Sequence, residues 1–296
     1  MKPAPFEYTA PPSLEAALAL KAQHGDDAKF LAGGQSLIPA MNFRLVQASL
    51  LVDVNGLSGL DYIRADGGEL RLGALTRQRR LERDPLAKQW SPLLHETMPF
   101  VAHPQIRNRG TLGGSLAHAD PAAELPVIAV ALGARIRATS ARGERWIAAA
   151  DFFRGLFTTD LAADEMVVEV ALPALPPRTG TAFMEFARRR GDYALMGVAV
   201  VVTLDEQGVC REARLVYLNA GEGPVNAQQA AGLLQGEAPS AEVIAAAAAM
   251  AADTEIEPMG NVHASPEYQR HLARVLTRRA LTQAIERARA RTTKHE

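Results

Sequence analysis

The sequence predicts an α+β fold in two domains, an expectation that three observations carry. Short apolar runs alternate with helix signals in the first third of the chain. Paired strand runs flank turn sequences in the middle third and again around Asp205 to Gly208. Finally, the strand run Met166 to Leu172 leads into Pro173-Ala-Leu-Pro-Pro-Arg-Thr-Gly180, a stretch whose prolines cannot join a ladder and which reads as a linker. The 296 residues leave room for two cores at roughly 150 residues per domain.

Ser13 is placed to cap a helix with the apolar face Leu14, Ala17, Leu18 and Leu20, which stops at Gly25. A strand over Lys29 to Ala32 breaks at Gly33-Gly34, Gln35 opens another helix, and Leu50 to Val54 reads as a second strand, so this part resembles a small βαβ unit. Asp66-Gly67-Gly68 then predicts a hairpin between Tyr62-Ile-Arg and Glu69 to Gly73. Helical signals run from Arg79 to Val101 and from Ala122 to Leu132. A second hairpin, Arg135 to Ala138 with Glu144 to Ile147, turns at Ala141-Arg142-Gly143. Past the linker, Ala194 to Leu204 and Arg211 to Ala220 form a further hairpin, and helices over Ala241 to Ala252 and Tyr268 to Ala290 close the chain. The arginines of the last helix read as a solvated face.

Composition narrows the function. Hydrophobic residues at 48% and charged residues at 22% exclude the signature of disorder. With 32 Lys and Arg against 33 Asp and Glu, the net charge of −1 gives no field to recruit nucleic acid or an acidic membrane. A single cysteine allows no internal disulfide and no cysteine-ligated zinc or iron–sulfur site within the chain. The proline-containing start and an apolar run no longer than Val243 to Ala252 lead to the expectation of a cytoplasmic protein without membrane insertion.

Two glycine pairs stand out, Ala32-Gly33-Gly34-Gln35-Ser36 and Thr111-Leu112-Gly113-Gly114-Ser115. Adjacent glycines permit positive φ and let backbone amides turn together toward an anion, so two such loops can grip one pyrophosphate; either pair alone also suits an ordinary tight turn. Common alternatives are missing: there is no dinucleotide-binding G-x-G-x-x-G after a strand, no phosphate-binding G-x-x-x-x-G-K-S/T and no G-x-S-x-G elbow, and His95-Glu96 lacks the second histidine of a zinc protease helix. Behind the second pair, His118, Asp120 and Glu124 form a polar cluster suited to ribose or ribityl hydroxyls. Asp120 equally suits a helix cap before Pro121.

Taken in order, AGGQS at 32–36, LVDVN at 51–55, LGALT at 72–76, PQIRNRGTLGGSLAHADPAAELP at 104–126 and RRRGDYALMGVAV at 188–200 resemble the FAD-binding medium subunit of the molybdenum hydroxylases, the carbon monoxide dehydrogenase and xanthine dehydrogenase type. The resemblance spans essentially the whole chain. It implies an FAD-binding domain at 1–175, in two α+β subdomains of about 1–57 and 58–175, and a C-terminal domain at 176–296 of antiparallel sheet with helices. It further implies that Ala32, Gly33, Gly34, Gln35 and Ser36, with Thr111, Leu112, Gly113, Gly114 and Ser115, hold the FAD pyrophosphate through backbone amides. Ala117, His118, Ala123 and Glu124 then line the cofactor further along, Ala74 lies near the flavin, and Tyr193 neighbours the isoalloxazine.

No catalytic or metal-binding residue is expected on this chain. The molybdenum cofactor and 2Fe–2S clusters belong, by the same resemblance, to a large and a small partner subunit in a dimer of heterotrimers. Gln35 stands where related subunits often have histidine, and Met184 where xanthine-dehydrogenase-like members have lysine, which leaves the final electron acceptor open. Two rival readings are a stand-alone flavin-dependent oxidase and a non-enzymatic nucleotide-binding assembly factor.

Overall fold

The structure is a computed structural model that describes residues 1–290. A first lobe contains β1 (Glu7–Thr9), α1 (Leu14–His24), β2 (Ala28–Leu31), α2 (Leu37–Asn42) and β3 (Leu50–Asp53). Ser13 caps α1 by accepting from the Ala16 amide at 3.2 Å, and Gly25 ends it at φ 53°. The strands are parallel in the order β1-β3-β2. β1 was not expected from the sequence: at three residues between prolines it shows no periodicity, and it joins only as an edge. Because Leu31 pairs with Asp53, β2 and β3 end at one margin, the carboxyl margin where open parallel sheets take ligands.

The second lobe begins with the hairpin β4 (Ile63–Asp66) and β5 (Glu69–Gly73), which turns on Gly67 and Gly68 at positive φ. The helical stretch expected over Arg79 to Val101 is three helices, α3 (Gln78–Arg83), α4 (Pro85–Trp90) and α5 (Pro92–Thr97). Pro85 and Pro92 divide it, because each lacks an N–H and forces the preceding residue out of helical conformation. Then come α6 (Pro104–Arg107), α7 (Leu112–His118), α8 (Glu124–Ala131), β6 (Arg135–Ser140), β7 (Gly143–Ala148), α9 (Ala149–Phe152), β8 (Phe153–Gly155), β9 (Thr158–Thr159) and β10 (Met166–Pro173).

Five of these strands form an antiparallel sheet in the order β4-β5-β10-β6-β7. β10 serves two cores. Met166 and Val168 pack with Leu50, Val52 and Leu57 of the first lobe, whereas Val167 and Val170 pack with Leu116 and Ile128 of the second. A bulge against β6 between Val167 and Glu169 permits that change of face.

The third part comprises β11 (Thr179–Ala187), β12 (Ala194–Leu204), β13 (Cys210–Leu218), β14 (Val225–Asn226), α10 (Gln228–Gly232), α11 (Ala241–Met250) and α12 (Pro266–Ala290). Its strands are antiparallel in the order β11-β12-β13-β14. The stretch expected as a linker is shorter than Pro173 to Gly180. Pro173 still pairs with Glu69, and it costs no ladder bond on the other side because β6 stops pairing at Ala171. Gly180 belongs to β11, where α12 presses on it: a Cβ there would lie 1.9 Å from the Ala284 carbonyl oxygen.

β12 is buried along its whole length. Met196, Val198, Val200 and Val202 pack in a core with Leu276 and Leu281 of α12. Ala199 and Val201 face the second lobe, and beside them Phe183 meets Phe100 edge to face at 5.2 Å. The sheet therefore lies between α12 and α8. Arg214 donates to the Ala131 carbonyl at 3.0 Å, the Asn219 amide to the Pro121 carbonyl at 2.7 Å, and Arg287 pairs with Glu96 at 2.7 Å, fixing the third part to the second lobe. No helix among the described residues is long and apolar enough to cross a membrane.

Candidate functional site

A cleft of about 380 Å³ opens at the carboxyl margin of β2 and β3. Leu31, Ala32, Gly33, Gly34, Gln35, Ile38, Asp53, Asn55 and Arg109 line it. Gly34 holds φ at 71°, and the Gln35 side chain donates back to the Gly33 carbonyl at 3.0 Å, which fixes the loop as a tight turn into α2. Among the described residues, no oxygen accepts from the backbone amides of Gly33, Gly34, Gln35 and Ser36, so this loop presents a row of open donors at a parallel-sheet margin.

The second glycine loop lies directly behind the first. A Cβ on Gly33 would sit 2.6 Å from the Arg109 carbonyl oxygen and 2.8 Å from Gly110 Cα, and one on Gly114 would reach within 3.9 Å of Ala32 Cβ. Two lobes thus meet backbone to backbone. Within the chain, the amides of this second loop each have a partner. Leu112 donates to Thr76 O at 3.0 Å, Gly113 to Ala74 O at 2.8 Å, Gly114 to Thr111 Oγ1 at 3.1 Å and Ser115 to Thr111 O at 3.2 Å. Thr111, Leu112 and Gly113 are buried, with Ala74 as the floor beneath Gly113, so Gly114 and Ser115 form the loop's accessible side. Gly113 allows the start of α7 to pack closely on Ala74.

α7 leads away from the cleft by roughly 10 Å at 1.5 Å per residue. Ala117 is exposed near its end, and the His118 ring lies 5.1 Å from that of Phe157. Burial, against the charge of Asp120, lowers the His118 pKa, which keeps the imidazole neutral at pH 7. Ala119 adopts φ 51° and turns the chain. Asp120 is not the cap of α8: that position is Ala123, and Asp120 Oδ1 instead accepts from the Ala122 amide at 2.9 Å in a local turn. Glu124 opens α8 while only 8% exposed; burial raises its pKa to about 7, with Asp120 adding to the rise and its own backbone amide and Arg107 opposing it.

Tyr193 stands over this end. Its side chain is 70% exposed, and desolvation by the protein around it, then the charges of Asp120 and Glu124, raise its hydroxyl pKa. The preceding Gly191, at φ 88°, lies so close to His103 that a Cβ would meet the ring at 2.4 Å, which fixes where the loop crosses the second lobe. The two glycine loops, α7 and residues 120–124 therefore follow one line from the cleft toward Tyr193. Arg188 and Arg189 lie outside it, bonded to His263 and Asp192.

Sequence reasoning missed Asp53, Asn55, Arg109 and Glu185. The Asn55 side chain donates to Ala32 O at 2.8 Å and accepts from Arg77 at 2.6 Å, while Asp53 accepts from Tyr8 at 2.6 Å. Their signal was available: polar residues immediately after an apolar parallel strand lie where such sheets bind ligands. Glu185 gave no signal, since its burial, which raises its pKa, comes from parts of the chain distant in sequence.

Two family models match the chain, one described as the FAD binding domain in molybdopterin dehydrogenase over residues 4–175 and one as the CO dehydrogenase flavoprotein C-terminal domain over residues 181–284. The 6-hydroxypseudooxynicotine dehydrogenase complex subunit alpha of Paenarthrobacter nicotinovorans is 47% identical, covering 98% of this chain and 97% of its own. Among solved structures, a carbon monoxide dehydrogenase chain from Hydrogenophaga pseudoflava superposes with a TM-score of 0.94 at 36% identity, covering 97% of this chain and 99% of that one. A chain of quinoline 2-oxidoreductase from Pseudomonas putida 86 does so with a TM-score of 0.92 at 38% identity, with the same coverage.

Proposed function

Because the chain belongs to the FAD-binding medium subunits of the molybdenum hydroxylases, we propose that it is their electron-transfer subunit here, relaying electrons from iron–sulfur clusters of a partner subunit to an external acceptor. The observation that carries the reading is the cleft in which four open backbone amides of one lobe abut the glycine loop of the other. These residues fit FAD. Donors without protein acceptors suit a diphosphate, glycine surfaces allow its close approach, and the line along α7 suits a molecule whose reactive ring lies away from its phosphates.

Bound FAD supplies the exchange between one-electron and two-electron carriers that such a junction needs. The amides of residues 33–36 would hold the phosphates, with Arg109 adding positive charge on the same wall. Asp120 and Glu124 would accept hydrogen bonds from hydroxyls along the chain joining phosphate to ring, and Tyr193 would cover the ring and exclude water from one face. Residues 1–175 hold the cofactor in this reading, and residues 176–296 close over its reactive end.

With one cysteine, the chain has no thiolate set for a cluster, which supports cluster-bearing and molybdenum-bearing partners. The relatives named above are subunits of enzymes acting on 6-hydroxypseudooxynicotine, carbon monoxide and quinoline, which supports the substrate being chosen by another subunit. The purified chain is expected to carry one FAD, to be reduced by dithionite and reoxidised by a dye, and to turn over an organic substrate only with partners added. A chain without flavin, or one that oxidises substrate alone, overturns the proposal.

A further inference from the structure

Arg77 is built into the second glycine loop by its backbone. It bridges to Thr111, and the loop bonds on either side of it: Leu112 donates to Thr76 O at 3.0 Å, and Gln78 donates to Gly110 O at 2.9 Å. Asn55 is fixed in the first lobe in a similar way. Its amide donates to Asp53 Oδ1 at 2.8 Å, and its Nδ2 donates to that same oxygen at 2.6 Å and to Ala32 O at 2.8 Å, which leaves Oδ1 as the acceptor for a group outside the lobe. The guanidinium of Arg77 joins the two. One terminal nitrogen donates to Asn55 Oδ1 at 2.6 Å and the other to Arg109 O. Among the described residues, the bond from Arg77 to Asn55 is the one side-chain hydrogen bond between residues 1–57 and 58–175. Arg109 O is also the atom that a Cβ on Gly33 would meet at 2.6 Å, so this clasp grips the loops where they approach most closely.

Both acceptors are neutral oxygens. Among the described residues no carboxylate pairs with Arg77, and Asp61 and Asp53 act on it only at longer range. A planar fork of donors suits two fixed oxygens in a way that a point charge does not. Arg109, rather than Arg77, lines the cleft. We propose that Arg77 is a positioning residue for the cofactor, holding Arg109 O of the second loop and, through Asn55, Ala32 O of the first, so that the open amides of residues 33–36 keep their place against the opposite wall. It touches no phosphate itself and acts through Asn55 and two carbonyls. The charge of Arg109 acts against that of Arg77, and an anion seated in the cleft offsets this repulsion, so clasp and cofactor favour each other. The role in binding rests on the FAD reading above.

Two measurements on the full-length chain test this. Amide hydrogen exchange without flavin reads the clasp by itself: Val54, whose amide donates to Leu31 O at 3.1 Å, and Gln78 should lose protection in both Asn55→Ala and Arg77→Met. A fluorescence titration with FAD reads the consequence. Each variant should bind FAD on the order of tenfold more weakly, and the double variant no more weakly than the weaker single one, because opening either end opens the clasp. Arg77→Lys should not restore binding, since an ammonium keeps the charge and loses the fork. An Asn55→Ala chain that binds like the wild type while Arg77→Met does not would make Arg77 a phosphate ligand and overturn the proposal. Losses that add in the double variant, rescue by lysine, or unchanged protection in both variants overturn it as well. A wild-type chain that takes up no FAD, with exchange as expected, supports the clasp and overturns the cofactor reading instead.

Discussion

Replacing Gly33 with alanine places a methyl group where two lobes touch. The new Cβ would lie 2.6 Å from Arg109 O and 2.8 Å from Gly110 Cα, both backbone atoms, so no side-chain rotation relieves the contact. Overpacking of this kind costs about 1–3 kcal/mol. The relief available is to part the loops, which widens the cleft and misplaces the open amides. If FAD requires them closed, that cost appears in binding as a loss of about 5- to 150-fold in affinity. Gly56→Ala is the control, since nothing lies within 4 Å of its Cβ. The assay is a flavin fluorescence titration of both variants and the wild type, with thermal midpoints measured alongside. A folded Gly33→Ala chain that binds FAD within about twofold of wild type, well inside the interval worked above, refutes the argument that the contact of the loops shapes the site.

Thr111→Val removes the oxygen that caps Gly114 at 3.1 Å and should lower stability by about 0.5–2 kcal/mol, read as a lower denaturant midpoint with the FAD spectrum unchanged. Tyr193→Ala should weaken FAD binding by about 1–3 kcal/mol and speed reaction of the reduced flavin with oxygen, whereas Tyr193→Phe should keep most of the shielding; stopped-flow absorbance at equal FAD occupancy checks both. Glu124 and Glu185 stand above their ordinary 4.5, so the folded chain holds protons that the unfolded chain releases. Their contribution to stability is fully present below about 4.5 and is lost as pH rises through about 7 and about 8, on the order of 3–5 kcal/mol for each group. Urea midpoints across this range should fall with pH in the wild type and fall less in Glu185→Gln.

Local chemistry made much of the fold legible. Ser13 and Gly25 bound α1, and Asp66-Gly67-Gly68 marks a hairpin whose two glycines do take positive φ. β11 was hidden because it opens in Thr179-Gly180, shortly after Pro176-Pro177, and carries Glu185, which breaks the apolar alternation that announces a strand. Of the site, the two glycine loops were visible, but not that the amides of the second are bonded within the chain and those of the first are not. Which amides stay open depends on Ala74 and Thr76, far from residues 112 and 113 in sequence, lying under one loop and not the other. Glu185 was invisible for a similar reason, as the burial that raises its pKa is a matter of tertiary packing.

The double-faced β10 bears on how this chain emerges from the ribosome. The first lobe ends its own strands at Asp53, yet its core is completed by Met166 and Val168. Roughly 110 residues must be made in between, about 5–20 seconds of synthesis. During that interval Leu50, Val52 and Leu57 lack their covering strand. The lobe that supplies the open amides is thus the first translated but is not sealed until residue 168, so nascent chains stalled before residue 166 should display it as a binding surface for holdase chaperones, and longer ones should not.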